Sequence, residues 1–253
     1  MRLIFIRHAE PDYAHNTITE KGWKEARLLA PRVQQWDVTR FYCSPLGRAR
    51  HTSQPSLEAC RRNAVILDWL QEFPVEAYNV VNRRTATCWD MYPEVWTEQP
   101  ELYSKDRWTE APLLRGTAAE AQFARVSGGL DALLASYGYH RHHNYYHVDD
   151  TAARDAILVC FCHLGVSCVM LGYLLGISPM VLLHGLFIPA SSVTVVQTEE
   201  RIPGCAAFRA QTIGDTAHLY VGREPVSVMA SFTEPFQDRE YGYHFTRDTL
   251  PTW

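Results

Sequence analysis

Two histidines stand directly behind apolar runs that are typical of buried strands. Arg7 and His8 follow residues 3–6, and His163 follows residues 156–162. An uninterrupted apolar run bounded by polar residues predicts a strand that is buried on both faces of a sheet. Ligands bind at the carboxyl ends of such strands in open α/β sheets. If the two strands are neighbours, His8 and His163 face each other across one pocket.

These residue types suit the transfer of a phosphoryl group. A neutral imidazole is a nucleophile near neutral pH, because its unperturbed pKa of about 6.5 leaves it largely deprotonated. Arg7, together with Arg48 in residues 44–50, offers fixed forks of donors that match phosphate oxygens. Phosphoryl transfer requires in-line positioning and charge neutralisation, which these side chains could supply without a metal. A carboxylic acid is then needed to protonate the leaving alkoxide.

Helices and short strands alternate between the two predicted strands. Apolar residues recur at three- and four-residue intervals over residues 23–36, which predicts an amphipathic helix that Pro31 should kink or end early. Residues 41–43 and 65–67 are short runs typical of strands. Residues 117–120 have the Thr-x-x-Glu form of a capping box, which predicts the start of another helix.

Three later or inserted stretches depart from this alternation. Residues 74–115 are rich in tryptophan, tyrosine, proline and acidic residues, which is not the composition of a disordered linker. We interpret them as an inserted cap or lid with short helices, within a single domain of residues 1–253. Residues 193–196 and the run from residue 206 predict two strands at an antiparallel edge. The aromatic tail from residue 224 is expected to wrap the body.

Composition and charge restrict the class of protein. The chain has 253 residues, of which 47% are hydrophobic and 21% charged, so it can bury a sizeable core. Its formal net charge of -4 argues against a general nucleic-acid binder or a membrane-surface binder. No apolar run reaches the roughly 20 residues of a membrane span, and residues 3–6 are too short for a signal peptide. Seven cysteines without metal-like spacing indicate a reducing compartment, so we expect a cytoplasmic protein.

A further group of histidines lies in a polar segment. His140, His142, His143 and His147 precede Asp149 there. Histidines near carboxylates are potential metal ligands, but this segment lacks a regular ligand spacing. We expect a solvated loop, with adventitious metal binding or a substrate contact as the alternatives.

A series of short motifs occurs along the chain in a fixed order. They are residues 7–10 (Arg-His-Ala-Glu), 19–22 (Thr-Glu-Lys-Gly), 44–52 (Ser-Pro-Leu-Gly-Arg-Ala-Arg-His-Thr), 163–166 (His-Leu-Gly-Val), 191–194 (Ser-Ser-Val-Thr) and 215–219 (Asp-Thr-Ala-His-Leu). Together they resemble the histidine phosphatase (phosphoglycerate mutase-like) superfamily. The resemblance implies an α/β fold, a three-layer α/β/α sandwich on a mostly parallel sheet. It also implies a reaction that uses no metal and no cofactor.

The resemblance assigns roles to four side chains around the phosphoryl group. His8 matches the nucleophile that becomes phosphohistidine. Arg7 and Arg48 match the two phosphate-binding arginines. His163 matches the second histidine of the catalytic pair, which also binds the phosphoryl group.

The proton donor and the pocket lining are less closely matched. Glu72 resembles the family's proton donor, which follows the third strand, and Glu76 or Asp90 could serve instead. Ser192 and His218 are possible pocket residues from the later motifs.

We therefore expect a phosphoric monoester hydrolase that acts on a small phosphomonoester through a phosphohistidine on His8. Ala9, where many members have glycine, and the short segment 10–19 favour a phosphatase over a mutase. A phosphoglycerate mutase-type phosphoryl transferase and a non-catalytic phospho-ligand-binding protein on the same fold are the alternatives. We expect neither nucleic acid nor membrane as a partner. The sequence leaves the oligomeric state open.

Overall fold

The computed structural model describes residues 1–81 and 83–229. Its strands are β1 (Arg2–Arg7), β2 (Pro11–Asp12), β3 (Thr17–Ile18), β4 (Arg40–Cys43), β5 (Ala64–Ile66), β6 (Glu76–Asn79), β7 (Arg84–Thr87), β8 (Tyr139–His142), β9 (Tyr145–Val148), β10 (Ile157–Cys162), β11 (Val193–Ile202) and β12 (Cys205–Asp215). Its α-helices are α1 (Glu20–Gln34), α2 (Gly47–Cys60), α3 (Pro93–Trp96), α4 (Ala119–Ala135), α5 (Leu164–Leu175), α6 (Pro179–Gly185) and α7 (Ala217–Val221). Short 3₁₀ helices cover Asp68–Leu70, Pro100–Tyr103, Trp108–Glu110 and Pro112–Leu114.

One large sheet carries the strands that end at the candidate site. Its order is β5-β4-β10-β1-β11-β12-β9-β8. The first four of these strands are parallel, and the pairs that follow are antiparallel. β12 and β8 therefore point the same way as the four parallel strands, and the sheet is mostly parallel, as predicted. β1 and β10 are neighbours with Arg7 opposite Cys162, so His8 and His163 leave the sheet at the same edge.

Successive side chains of β1 point to opposite faces of this sheet, and they are apolar on both faces. Helices therefore cover both faces and bury these side chains. Leu3 and Phe5 are buried in one core cluster, together with residues of α4 and α5. Ile4 and Ile6 are buried in a second cluster with residues of α1. The predicted three-layer α/β/α sandwich is confirmed.

The first helix continues past the proline that was expected to interrupt it. α1 begins behind Thr19, whose hydroxyl accepts a hydrogen bond from the Gly22 N–H at 3.0 Å. It includes Pro31 and runs on to Gln34, so the predicted early end is wrong. A proline removes one helical hydrogen bond, and burial of the apolar face, including Leu29 on that face, outweighs this loss.

The start of α4 also differs from the prediction. The helix begins at Ala119 behind Ala118, and no side chain caps it. The Thr117 hydroxyl donates to the Leu114 carbonyl at 2.7 Å and accepts from the Ala119 N–H at 3.2 Å. The predicted capping box of residues 117–120 is therefore wrong, because Thr117 closes the preceding turn.

The predicted histidine loop is a β-hairpin. β8 and β9 pair with His140 opposite His147. The predicted strands β11 and β12 are confirmed as an antiparallel pair. Their predicted position at the edge is wrong, because β9 pairs with β12 and β8 forms the edge of the sheet. Burial of Tyr146 and Val148 in the core fixes this hairpin to the sheet.

Residues 74–115 form the β6–β7 hairpin, α3 and three of the short 3₁₀ helices. Leu102 and Trp108 from this segment are fully buried in the same core cluster as Leu70 and Phe73. The segment therefore packs firmly against the core, and its interpretation as an inserted cap stays a prediction.

Only the beginning of the predicted tail is described. Glu224 forms ion pairs with Lys21 and Lys24 of α1. Residues 230–253, on which most of the prediction of a wrapping tail falls, lie outside the described residues.

Candidate active site

His8 is held at the carboxyl end of β1 by its own backbone. Its N–H donates to the Cys162 carbonyl at 2.9 Å, and its carbonyl accepts from the Ser191 N–H at 3.1 Å. The side chain is only 1% exposed. Ring atom Nδ1 lies 2.8 Å from the Ala9 carbonyl oxygen, which can only accept. Nδ1 therefore carries the proton, and Nε2 keeps the lone pair that a nucleophile needs.

His163 lies next to His8 and caps the amino end of α5. The centroids of the two imidazole rings are 5.2 Å apart. Nε2 of His163 lies 2.7 Å from the Ser44 hydroxyl, directly behind β4. Nδ1 of the same ring is buried without a hydrogen-bond partner. Strands β1, β4 and β10 thus each deliver a polar side chain to one place.

Two arginines flank the histidine pair. Arg7 is buried at the end of β1 and donates from Nη1 to the Ile188 carbonyl. Arg48 lies in the first turn of α2, with Nη1 3.4 Å from the Asn16 side-chain oxygen and its guanidinium carbon 5.5 Å from the centre of the Tyr13 ring. The Nε atoms of both arginines are buried without partners. Each guanidinium therefore retains a free donor.

Burial and positive charge keep both histidines neutral. Burial, followed by the charge of Arg7, lowers the pKa of His8 well below its ordinary value of 6.5. Burial, followed by the neighbouring His8, Arg48 and Arg7, lowers the pKa of His163 in the same way. The site therefore has a net positive charge from the arginines and unprotonated imidazoles. An anion is the ligand that this combination favours.

Glu72 is close enough to Arg7 and Arg48 for their charges to act on its carboxyl group. It follows the 3₁₀ helix Asp68–Leu70, and its Oε1 accepts from the N–H groups of Phe73 and Val166 at 2.9 and 3.0 Å. Burial raises the pKa of Glu72, and this effect exceeds the opposing hydrogen bonds and the attraction of the arginines. A raised pKa keeps a larger protonated fraction near neutral pH, as a general acid requires. The alternatives, Glu76 on β6 and Asp90 in a turn, are both exposed.

Gly165 makes room for this carboxyl group. A Cβ atom at residue 165 would lie 2.7 Å from Oε1 of Glu72 and 2.9 Å from two ring atoms of Trp89. Any other residue would push the carboxylate or the indole aside. The glycine of the 163–166 motif thus serves close packing at the start of α5.

The two possible pocket residues have structural partners. The Ser192 hydroxyl donates to the Pro189 carbonyl at 2.6 Å. Nε2 of His218 lies 3.1 Å from the hydroxyl of Ser191, the residue whose N–H holds the His8 carbonyl. Both side chains are buried, and they support the backbone behind His8.

A buried carboxylate supports the loop that follows His8. Oε2 of Glu25, on α1, accepts from the Glu10 N–H at 2.9 Å, and Oε1 lies 3.7 Å from Nζ of Lys21. Burial raises the pKa of Glu25 to about 7. Sequence reasoning missed this residue, since a glutamate within an amphipathic helix is typical of an exposed face.

Sequence reasoning also missed other residues around the histidine pair. Ser44 directly follows a predicted strand, and that signal, which singled out His8, could have found it. Tyr13 and Asn16 lie in the loop between β2 and β3, and no periodicity marks them. The Tyr13 and His8 rings are nearly perpendicular, with centroids 6.5 Å apart.

The histidines of the β8–β9 hairpin lie apart from this site. His140 contacts Asp149 at 2.9 Å, and the rings of His142 and His147 are 4.5 Å apart on an exposed surface. Among the described residues, no group of three or more histidine, cysteine, aspartate or glutamate side chains is arranged to hold a metal ion. None of the helices in residues 1–81 and 83–229 combines the length and apolarity that crossing a membrane requires.

A pair of neutral histidines between arginines, at the carboxyl edge of an α/β/α sheet, is an arrangement that suits the binding of an anion such as phosphate. Residues 3–210 match the histidine phosphatase superfamily (branch 1). The chain belongs to that superfamily, as its motifs predicted.

Curated relatives match parts of the chain. A probable phosphoglycerate mutase GpmB from Photorhabdus laumondii subsp. laumondii is 25% identical over 108 residues, covering 39% of this chain and 49% of that protein. The protein of the same name from Serratia proteamaculans is 32% identical over 69 residues, covering 24% of this chain and 32% of that protein. The chain thus spans about half and about a third of the lengths of these relatives.

Solved structures share the fold at low sequence identity. A mutant phosphoserine phosphatase from Entamoeba histolytica, in complex with phosphoserine, is 16% identical with a TM-score of 0.58, covering 86% of this chain and 98% of its own. A mycobacterial glucosyl-3-phosphoglycerate phosphatase is 17% identical with a TM-score of 0.56, covering 84% and 98%. These structures are named as phosphatases, and the likeness establishes the fold.

Proposed function

We propose that this protein is a metal-independent phosphatase that hydrolyses a small phosphomonoester through a phosphohistidine on His8. The observation that carries the proposal is the buried, neutral histidine pair between two arginines with free Nε donors. A phosphate dianion would provide acceptors for those donors and for the unpartnered Nδ1 of His163. Arginine forks neutralise phosphate oxygens without a metal.

The first step would form the phosphoenzyme. Nε2 of His8 attacks phosphorus, and the bond between phosphorus and the leaving oxygen breaks. Glu72 gives its proton to that oxygen, so that the leaving group departs as an alcohol. Arg7, Arg48 and His163 would hold the equatorial oxygens, where the transition-state charge lies.

The second step would return the enzyme to its starting state. A water molecule attacks phosphorus in line with His8, and the Glu72 carboxylate takes its proton. The phosphorus–nitrogen bond breaks, which releases inorganic phosphate and neutral His8. Glu72 thus acts first as acid and then as base.

A mutase-type phosphoryl transferase is the second candidate, because the curated relatives carry that name. In that reaction the phosphoryl group on His8 would pass to another hydroxyl instead of water. The two reactions share the first step and differ in the acceptor.

Turnover of a panel of phosphomonoesters in the presence of a chelator tests the proposal. The parent should hydrolyse p-nitrophenyl phosphate and at least one alkyl phosphate. His8→Ala should lose at least about 10⁴-fold in turnover, since it removes the nucleophile. Activity that survives in His8→Ala would contradict the mechanism.

The other outcomes separate the alternatives. A parent that binds phosphate without turnover would support the non-catalytic reading. Transfer of the phosphoryl group to an added phosphoglycerate, faster than release of inorganic phosphate, would support the mutase.

The cellular location and the binding partner are also part of this proposal. We propose a cytoplasmic location because all seven cysteines are free thiols, most of them buried in the core. We propose a small phosphomonoester, and neither nucleic acid nor membrane, as the binding partner. Cell fractionation with an antibody to the protein tests the location.

A further inference from the structure

The proposed reaction fixes where the leaving group must lie. In an in-line displacement the leaving oxygen lies on the side of phosphorus opposite Nε2 of His8. It must also lie within hydrogen-bond reach of the Glu72 carboxyl group. The carbon atoms attached to that oxygen therefore leave the site past Glu72. A side chain that flanks Glu72 on that side would contact the leaving group.

An indole ring flanks Glu72. Ring atoms Cζ3 and Cη2 of Trp89 and Oε1 of Glu72 converge on Gly165, all within 3 Å of where a Cβ atom would stand. Trp89 as a whole residue is half-buried. The residue before it, Cys88, is fully buried, and its N–H donates to the Val75 carbonyl at 2.9 Å. The indole is therefore held in place beside the proton donor.

A second aromatic ring stands on the nucleophile's side. Tyr13 is 57% exposed, its ring is nearly perpendicular to the His8 ring, and its face is within reach of the Arg48 guanidinium. The loop that carries Tyr13 is pressed against the start of α2, where a Cβ atom on Gly47 would lie 2.0 Å from the Asn16 carbonyl oxygen. Tyr13 therefore adds accessible apolar surface beside His8 and Arg48.

We propose that Trp89 is the wall of a leaving-group subsite that selects phosphomonoesters with a flat aromatic ring near the ester oxygen. Tyr13 lines the entrance to that subsite. This inference rests on the proposed function for the position of the leaving group. A planar ring gains offset or edge-to-face contact with the indole, and a saturated ring of the same size gains only burial.

Binding of two phosphonates that carry either an aromatic or a saturated six-membered ring tests the subsite. Benzylphosphonate and cyclohexylmethylphosphonate carry the same headgroup, so both should occupy the phosphoryl site without turnover. Calorimetry on the parent should give about fivefold tighter binding of benzylphosphonate, the size expected of one aromatic contact. In Trp89→Leu the two affinities should become equal, and in Trp89→Phe the preference should persist.

Controls make the outcome decisive. Tyr78→Leu alters an exposed aromatic residue on β6, in the same segment, and should keep the parent preference. Trp89→Phe guards against misfolding, because it keeps a ring at the position. Equal affinities in the parent, or an unchanged preference in Trp89→Leu, would overturn the subsite. Failure of the phosphatase proposal would instead appear as absent turnover of every ester, and it would leave this binding comparison readable.

Discussion

Histidines lie close together at two places in the described part of the chain, and only one of these places has the features of a site. The rings of His8 and His163 are 5.2 Å apart in the interior, and those of His142 and His147 are 4.5 Å apart on the β8–β9 hairpin. Distance alone would favour the hairpin pair. The difference lies in burial and in the neighbouring charges.

The interior pair is prepared for an anion in ways that the hairpin pair is not. Two arginines adjoin His8 and His163, and buried donor atoms there have no protein partner. On the hairpin, His142 contacts the rings of His143 and Tyr145 and is exposed. Proximity of histidines is thus weak evidence for catalysis, and desolvation beside fixed positive charge is stronger evidence.

After loss of the His8 nucleophile, removal of the Glu72 carboxyl group should have the next largest effect on the interior site. Glu72→Gln should lower turnover of an alkyl phosphate by about 10³-fold, because the alkoxide then leaves unprotonated. Formation of the phosphoenzyme from p-nitrophenyl phosphate should change less, because that leaving group needs no proton. Rapid-quench measurement of both esters distinguishes the two steps, and equal losses would contradict a role in leaving-group protonation.

The pH dependence of the same variant gives an independent check. Glu72 must be protonated in the first step, and its pKa is raised. Rising pH therefore removes activity as it passes that pKa. His8 stays neutral over the same range because its pKa is lowered. The parent should show a falling alkaline limb in kcat/KM for an alkyl phosphate, after allowance for substrate ionisation, and Glu72→Gln should lack it.

Arg48→Lys should separate the effect of the positive charge at residue 48 from the effect of the planar fork of guanidinium donors. Lysine keeps the positive charge but loses the fork of donors, so kcat/KM should fall by about 10²-fold. Arg50→Lys on the same helix is the matched control, since Arg50 is exposed and should tolerate the change. Similar kcat/KM values for the two variants would show that Arg48 acts only through its charge.

Burial of the Glu25 carboxyl group should also make the free energy of unfolding depend on pH. Burial raises the pKa of folded Glu25 from 4.5 to about 7, so the folded state binds this proton more tightly than the unfolded chain does. The contribution of Glu25 to the free energy of unfolding is therefore greatest below the unfolded pKa and declines as pH rises through 7. Between acid and alkaline pH, the free energy of unfolding of Glu25→Gln should rise by up to about 3 kcal/mol relative to that of the parent.

Urea unfolding of Glu25→Gln and the parent, at an acid and at an alkaline pH, measures this gain in the free energy of unfolding. Glu200→Gln provides a control of opposite sign, because the hydrogen bond from Arg154 lowers the pKa of Glu200. The stability that Glu200 contributes is present above the unfolded pKa and is lost as pH falls. A gain for Glu25→Gln that does not depend on pH would contradict the raised pKa.

The smallest effect is expected on the hairpin. His142→Ala and His147→Ala should each leave kcat/KM within about twofold of the parent, as surface substitutions away from a site usually do. The same result should hold with and without a chelator. A large loss in either variant would break the contrast between the two histidine pairs.

The sequence predicted the parts of this molecule that depend on strand ends. Apolar runs before His8 and His163 placed both residues at one sheet edge, because parallel strands deliver their carboxyl ends together. Tyr13 and Trp89 could not be placed in this way. Their positions depend on contacts between distant segments, such as Trp89 against Gly165.

The wrong predictions for Pro31 and for the β8–β9 hairpin have similar causes. Pro31 lies within α1 because tertiary burial outweighs one lost hydrogen bond. The β8–β9 hairpin was missed because its exposed histidines hide the alternating burial of Tyr146 and Val148. In both cases packing against the core decided the structure over local propensity.

Trapping of the phosphoenzyme tests the central claim most directly. Glu72→Gln, mixed with radiolabelled p-nitrophenyl phosphate and quenched in alkali, should retain the label because its second step is slow. The label should be stable to alkali and labile to acid, and it should map to the peptide that contains His8. It should be absent from the double variant that carries both Glu72→Gln and His8→Ala. A label on another residue, or no label although the phosphoryl group is released, would contradict nucleophilic catalysis by His8.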